Sequence, residues 1–500
     1  MSLLGIDVGT TGCKAAVFST EGQLLASAYE EYDFQRPKPG YAELDPAHIW
    51  EIVKRVISQV ASRSKKAEIQ ALSVSSLGEA TVPVTRDRQV LGPSPLNFDL
   101  RGEEYLENLG KVLTNEYLYK INGNTFGNQY SLTKLMWFQH HHPGLYQKTD
   151  KFLHWSGFIS FMLGAEARVD YSLANRTLLF DLDHQTWSDE LIRIAGLDRS
   201  KLPDPVPSGT YIGDVSAHLA SELGLPRHVV IVSGCHDQCA NAVGVGVIKE
   251  GQAIYGMGTY ICITPVFHQR KDPGLMIARG LNTEHHAVPG LYVCYIYNLG
   301  GALLKWFRDT FAVSERGQAA GTGRDIYSDL IAEIPEQPSK VLVLPHFGPT
   351  GPPEFITDSY GVITGLRLET SRGEILKGIL EGTTFYLKEC LDSLSPTGIS
   401  IQELRAAGGG SKSAAWLQIC ADILNKPFIR PRITEAGTLG AAVLAGAGKG
   451  IFPNIEAGVE SMVKLEQRFE PNLDMVNRYA ERYEKYRALW PLMKDYLRGL

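Results

Sequence analysis

The 500-residue chain predicts an α/β protein of two domains in tandem, and three observations carry that reading. Its length exceeds what one compact core supports. Within the first eighty residues the hydrophobic period switches from strand to helix and back. A plan of strand, Gly-Thr turn, strand occurs twice, as IDVGTTGCKAAVF and as IYGMGTYICITPV at 254–266, so that Thr10 and Thr259 lie half a chain apart.

Each element follows from local chemistry. LLGID is an apolar run ending at Asp7, VGTTG is a turn, KAAVFS a second strand, TEGQ a hairpin turn and LLASAYEEY a third strand. Asp45 then reads as an N-cap with Pro46 at the first helical position, and Ile49, Val53, Val56, Ile57 and Val60 recur at helical spacing. IQALSVSS returns to strand. LTKLMWFQH reads as a helix ended by Pro143, with His140, His141 and His142 meeting its free carbonyls rather than holding a metal. VVIVSG is a strand running through Cys235–Gln238 into the helix CANAVGVG. The glycines and charged turn of VGVGVIKEG (243–251) place a domain boundary there, dividing 1–245 from 246–500. Leu404–Ala407 is a strand passing through Gly408, Gly409 and Gly410 into a helix. Near the C-terminus, Tyr479, Tyr483 and Tyr486, with Leu489, form a helical packing stripe.

Composition narrows the partners. The 49 basic and 55 acidic residues leave a net charge of −6, without the basic footprint that nucleic acid requires. No apolar run reaches the roughly 18 residues of a membrane span. Seven scattered cysteines and no secretory leader predict reduced thiols in the cytoplasm, with small molecules as partners.

Three segments suit phosphate. A Gly/Thr turn between strands points consecutive N–H groups and hydroxyls at one place, and in GTTGCK Lys14 adds a positive charge. The Gly408–Gly410 run lets backbone approach a ring or phosphate at a helix N-terminus. A Walker loop and a strand-to-helix GxGxxG are both absent, so the pattern is a nucleotide held between two halves. The stretch SGCHDQC (233–239) offers several chemistries. A zinc site would need a second Cys/His pair, which the chain lacks. Cys235 and Cys239 read as packing residues, and Ser233, His236 and Asp237 lie too close in sequence to orient as a triad. For Asp237 the residues alone leave two readings, an N-cap for a helix beginning at Gln238 or a general base facing a phosphate cradle.

Taken in order, GIDVGTT, KLMW (134–137), GCHDQ, NLGGALLKWFRD (298–309), GVITGLRLETSRGEILKGILEG (361–382), GGGSKSAAW and EAGTLGAAVLAG resemble the FGGY family of carbohydrate kinases, from about residue 3 to about 490. The resemblance implies two ribonuclease H-like (actin-like ATPase) domains flanking a deep catalytic cleft, with sugar held mainly by the first and ATP by the second. It implies Asp237 as the general base; Gln238, its neighbour, is expected to contact the sugar, and His236 either touches substrate or supports the loop. Asp7 would lie near Mg²⁺; Thr10, Thr11 and Lys14 would face the transferred phosphate. Gly258 and Thr259 would form the second phosphate turn, Gly301 would meet the phosphate tail, and Gly409, Gly410 and Ser413 would line the adenine and ribose pocket. Glu79, Asn97 and Asp99 would face the sugar.

Departures from the family pattern concern the acceptor. SSLGEAT carries Leu77, Gly78 and Glu79 where xylulose kinases read roughly QMHG, and Glu79 is closer in kind to glycerol kinases. PLNFDLRG has Asn97 and Phe98 where a tryptophan is usual, and keeps Asp99 and Arg101. The expected reaction is ATP-dependent phosphorylation of a terminal hydroxyl of a pentulose such as xylulose or ribulose. The alternatives are a glycerol- or erythritol-type polyol or a hexulose as acceptor, or a non-catalytic actin-like nucleotide binder. A homodimer is the assembly considered.

Overall fold

In the computed structural model, which describes residues 1–64, 68–319, 325–433 and 435–500, the N-terminal apolar run forms the strand Ser2–Val8. It pairs antiparallel with Gly12–Ser19, which pairs in turn with Leu24–Glu31. The helix Pro46–Arg63 covers this meander. It begins where expected, because Asp45 accepts from the N–H groups of Ala47 and His48 and Pro46 occupies the first turn. Its apolar stripe, including Ile49, Val53, Val56 and Val60, is buried. Ile69–Ser76 then adds parallel to Ser2–Val8, and Val230–His236 adds parallel beyond it. Tyr211–Asp214 closes the edge antiparallel, giving a six-stranded sheet.

The second half repeats the plan. Gly251–Met257 pairs antiparallel with Tyr260–Phe267, which pairs with Ile296–Leu299. Ile401–Ala407 and Phe428–Pro431 continue the sheet in parallel, and Leu465–Phe469 closes the edge antiparallel. The sequence echo is therefore an echo of a sheet plan, a three-stranded meander, two parallel strands and an antiparallel edge in each half, and the second sheet adds Glu284–His285 and Tyr292–Val293 to make eight strands.

The helix Ala436–Gly448 joins the halves. Although late in the chain, it packs on the helix Asp237–Gly244 and on the strands Ser2–Val8 and Ile69–Ser76 of the first sheet. The approach is backbone to backbone: a Cβ on Gly440 would lie 1.9 Å from the Ala240 carbonyl oxygen, and one on Gly244 would lie 1.9 Å from that of Ala436. That explains the small-residue composition of AGTLGAAVLAGAG, since larger side chains would push the helices apart and unseat the residues that leave the end of the strand Val230–His236.

Two other expected segments are packing elements. Tyr479, Tyr483 and Tyr486 are buried, with ring centroids 5.4–6.2 Å from Phe385. His140 and His141 occupy the last turn of the helix Ser131–His141; His140 meets the Tyr105 hydroxyl at 3.0 Å, and His141 meets Glu104 at 3.0 Å and stacks on Trp137.

Candidate active site

Three parallel strands of the first sheet end together, with Val8, Ser76 and His236 in one register row. Groups just before or after that row, Asp7, Glu79 and Asp237, are thus delivered to the carboxyl edge of the sheet, where open α/β sheets place their ligand sites. Asp237 is the first residue of the helix Asp237–Gly244, and the cap position belongs to His236, whose side chain makes no capping bond. The N-cap reading of Asp237 is thereby corrected.

The surroundings of Asp237 suit a base. Gln238 Nε2 donates to its Oδ1 at 3.1 Å, and His236 Nε2 lies 3.3 Å from the same oxygen. Its side chain sits deep in the protein with 27% still open. Burial, reinforced by the negative charge of Asp7, pushes its carboxyl up to about 7, against the opposing pull of the Gln238 hydrogen bonds and the Arg176 charge. His236 is held well below its ordinary value by burial, with the Arg176 charge second, and is therefore neutral. Its Nδ1 meets the Tyr295 hydroxyl at 3.1 Å. A neutral ring that accepts from Tyr295 at Nδ1 carries its proton on Nε2, the nitrogen beside Asp237, so the carboxylate has a neutral ring as its neighbour.

Asp7 Oδ1 accepts from Ser75 Oγ at 2.6 Å, and burial raises its carboxyl, with Lys14 acting in the opposite direction. Lys14 is paired with Glu435, just before the closing helix, and lies 5.5 Å from the Tyr29 ring centre. These groups border a cavity of about 190 Å³ together with Gly9, Asn241 and Gly437. Thr10 is half-buried in the turn and Thr11 is exposed at its tip.

Glu79 is buried and pairs with Arg176, whose Nη1 donates to Glu284 at 2.7 Å. Arg176 and Glu284 carried no motif in the sequence; nothing local announces that an arginine after Tyr171–Asn175 and a glutamate of the second half will meet beside Glu79. Among the described residues no contact joins Asn97 or Asp99 to this group. Asn97 is exposed. Asp99 is fully buried and accepts from the Ala42 N–H at 2.6 Å, from the Arg101 N–H at 2.8 Å and from the Arg101 guanidinium at 2.7 and 2.9 Å. Those bonds anchor its loop. The thiols of Cys235 and Cys239 are buried in an apolar cluster, and burial raises both above the ordinary range, so they are packing groups.

A second site lies in the other half. Gly258, Thr259, Gly301, Gly409, Gly410 and Ser413 all line one cavity of about 1220 Å³. The turn after Gly251–Met257 is clasped to the helix Gly301–Phe311: Gly301 N–H donates to the Gly258 carbonyl at 2.9 Å, and the Gly300 and Ala302 N–H groups donate to that of Thr259 at 3.1 Å. A Cβ on Gly301 would lie 2.5 Å from the Gly258 oxygen, so glycine is required for the clasp. Gly408, at φ +82°, turns the chain out of Ile401–Ala407, and Ser413 caps the helix Ala414–Leu424 by accepting from the Trp416 N–H. Trp306, which lies within the 298–309 motif but was not singled out, and Asp325 and Tyr327, which lie outside the motifs, add further walls. Trp306 was detectable as the aromatic of an amphipathic helix, whereas Asp325 and Tyr327 carried no signal.

The comparisons agree with this geometry. The family model for the N-terminal domain of FGGY carbohydrate kinases matches residues 2–244, and that for the C-terminal domain matches 274–448. A xylulose kinase of Staphylococcus epidermidis is 27% identical over 496 residues, covering 99% of this chain and 97% of that protein. A gluconokinase of Bacillus subtilis is 26% identical over 518 residues, covering 100% and 98%. The crystal structure of a xylulose kinase from Rhodospirillum rubrum superposes with a TM-score of 0.86 at 25% identity, covering 99% of this chain and 100% of that one. With two sheets of one plan, a carboxylate at the strand ends of the first and a glycine-lined cavity on the second, the chain belongs to the FGGY family of carbohydrate kinases.

Proposed function

We propose that this kinase transfers the γ-phosphate of ATP to a terminal hydroxyl of a ketopentose such as xylulose or ribulose, with Asp237 as the base. The observation that carries the reading is Asp237 itself, partly open, backed by a neutral histidine and held near 7, where a carboxylate is a competent proton acceptor at neutral pH. The xylulose kinases among the relatives support a ketopentose. Residues 1–245 are assigned mainly to the sugar and 246–500 mainly to the nucleotide, with the Ala436–Gly448 helix returning to the first sheet. The free cysteines support a reducing, cytoplasmic setting.

The residues present fit both reactants that the proposal adds. The cavity about Gly301, Gly409 and Gly410 brings bare backbone and a helix N-terminus to one place, as adenine nucleotides require. Asp7 raises the Asp237 carboxyl, and Lys14, which borders the same cavity as Asp7, is paired with Glu435. Such a surplus of hard carboxylate oxygens fits a divalent cation, with Asp7 as the group that would hold Mg²⁺. Bound there, Mg²⁺ would neutralise phosphate oxygens that otherwise repel the incoming hydroxyl. Asp237 accepts the hydroxyl proton, Gln238 and His236 fix its orientation, and the two Gly-Thr turns supply N–H groups around the phosphates.

A panel of ketopentoses, hexuloses and polyols, assayed by ADP release with Mg²⁺ and ATP, tests this. Xylulose or ribulose is expected to exceed glycerol and erythritol at least about tenfold in kcat/KM. Preference for a polyol would overturn the acceptor, and silence across the panel would favour a non-catalytic nucleotide binder.

A further inference from the structure

Relatives of nearly equal identity include both xylulose kinases and gluconokinases, so identity does not separate neutral sugars from sugar acids. The charges beside Asp237 do. Arg176 is the cation of that region, and its guanidinium is spent on two carboxylates, Glu79 from its own half and Glu284 from the other. Glu284 is fully buried and also accepts from Asn282 Nδ2 at 2.7 Å; Asn282 in turn accepts from the Tyr295 N–H at 3.0 Å. Tyr295 leads to His236 and so to Asp237. The triad is thus physically continuous with the base, and with Asp237 it carries three carboxylates against one guanidinium.

Two polar atoms of the triad lack partners, Arg176 Nε, a donor, and Glu284 Oε2, an acceptor. An unmade bond on a buried charged group is costly, and a hydroxyl can accept from the one or donate to the other. Gly78 sits against the same place: a Cβ there would lie 3.1 Å from His236 Nε2 and 3.3 Å from Arg176 Nε, so the missing side chain leaves that space to the arginine.

On the basis of the kinase reading, we propose that the Glu79–Arg176–Glu284 triad is the acceptor selector of this enzyme, recognising the hydroxyls of a neutral sugar through Arg176 and Glu284 and rejecting an aldonate by its surplus negative charge. Because its members come from both halves, the acceptor is read at their junction.

Calorimetric titration with D-xylulose and D-gluconate tests the triad without requiring turnover. Wild type is expected to bind xylulose at least about a hundredfold more tightly than gluconate, and Glu284→Gln, which removes one charge at constant shape, to narrow that ratio about tenfold. Arg176→Lys, which keeps the charge but loses the planar fork, is expected to weaken xylulose binding at least tenfold while leaving the calorimetric Kd for ATP within twofold. If Arg176→Lys does not fold, Glu79→Gln serves as the second charge-removing variant, with the same expected narrowing. Gluconate binding as tight as xylulose, a ratio unmoved by both glutamine variants, or a parallel loss of sugar and ATP affinity would overturn the selector. Those results would leave the kinase proposal standing, whereas xylulose binding with the expected selectivity but without ADP release would overturn that proposal and not this one.

Discussion

The two halves of the molecule share one sheet plan and differ at the ends of their strands. In the first hairpin Val8 pairs with Cys13 across the four residues Gly9–Gly12; in the second, Met257 pairs with Ile261 across the three residues Gly258–Tyr260. Gly258 and Thr259 therefore stand where Gly9 and Thr10 stand, and the second turn is one residue shorter, with Tyr260 following Thr259 where Thr11 follows Thr10. One pair further in, Asp7 faces Lys14 in the first half, whereas Gly256 faces Cys262 in the second. The next parallel strand leads to Glu79 in the first half and to Gly408–Gly410 in the second. One fold thus presents charge on one side and bare backbone on the other, which fits the proposed division of proton chemistry from nucleotide binding.

The sharpest way to break this division is Asp237→Asn. It removes the proton acceptor while keeping shape, and kcat is expected to fall about 10³-fold with the KM for ATP within twofold of wild type. Steady-state ADP release measures both, and a variant retaining a tenth of wild-type kcat would remove Asp237 from the role of base.

Gly301→Ala probes the other side. The added Cβ would meet the Gly258 carbonyl and displace the second turn, so the KM for ATP is expected to rise roughly 10- to 100-fold, with the KM for sugar unchanged. An equal rise in both constants would mean that the two halves do not divide the work.

The pH profile sharpens the comparison with the smallest effect. In the proposed mechanism Asp237 acts deprotonated, and its carboxyl is raised to about 7, so its active fraction would fall as pH drops through that value. The kcat/KM for sugar is expected to decline about tenfold per pH unit below 7. A rate flat down to pH 5 would mean that an ordinary carboxylate, titrating near 4, is the base.

Much of this was legible in the chain because it was local. Strand and helix periods, the Asp45 cap, the Gly-Thr turns and the tyrosine stripe each rest on neighbours within a few residues, and the six glycine, threonine and serine positions that line the cavity of the second half fell in short motifs. Asp237 was the intermediate case. Its neighbours alone favoured a helix cap, the family resemblance pointed to a base, and the structure then placed His236 at the cap position.

What tertiary structure alone decided rests on long-range electrostatics and close packing. Arg176, Glu284 and Tyr295 carry no local signature, because an ion pair is specified by where the fold brings side chains together and not by spacing along the chain. The same holds for Asp99, whose side chain is spent on Arg101 and the Ala42 backbone rather than placed beside Asp237. The raised carboxyl of Asp237 likewise depends on burial and on Asp7, 230 residues away, and the small-residue helix that fixes its position returns from the far end of the sequence. By itself the sequence determined the elements and the two-fold plan, since backbone propensity and hydrophobic period act within a turn or a strand. Only the folded chain decided which carboxylate is free to act and which charges surround the acceptor, since desolvation and Coulomb forces act between residues that the fold alone makes neighbours.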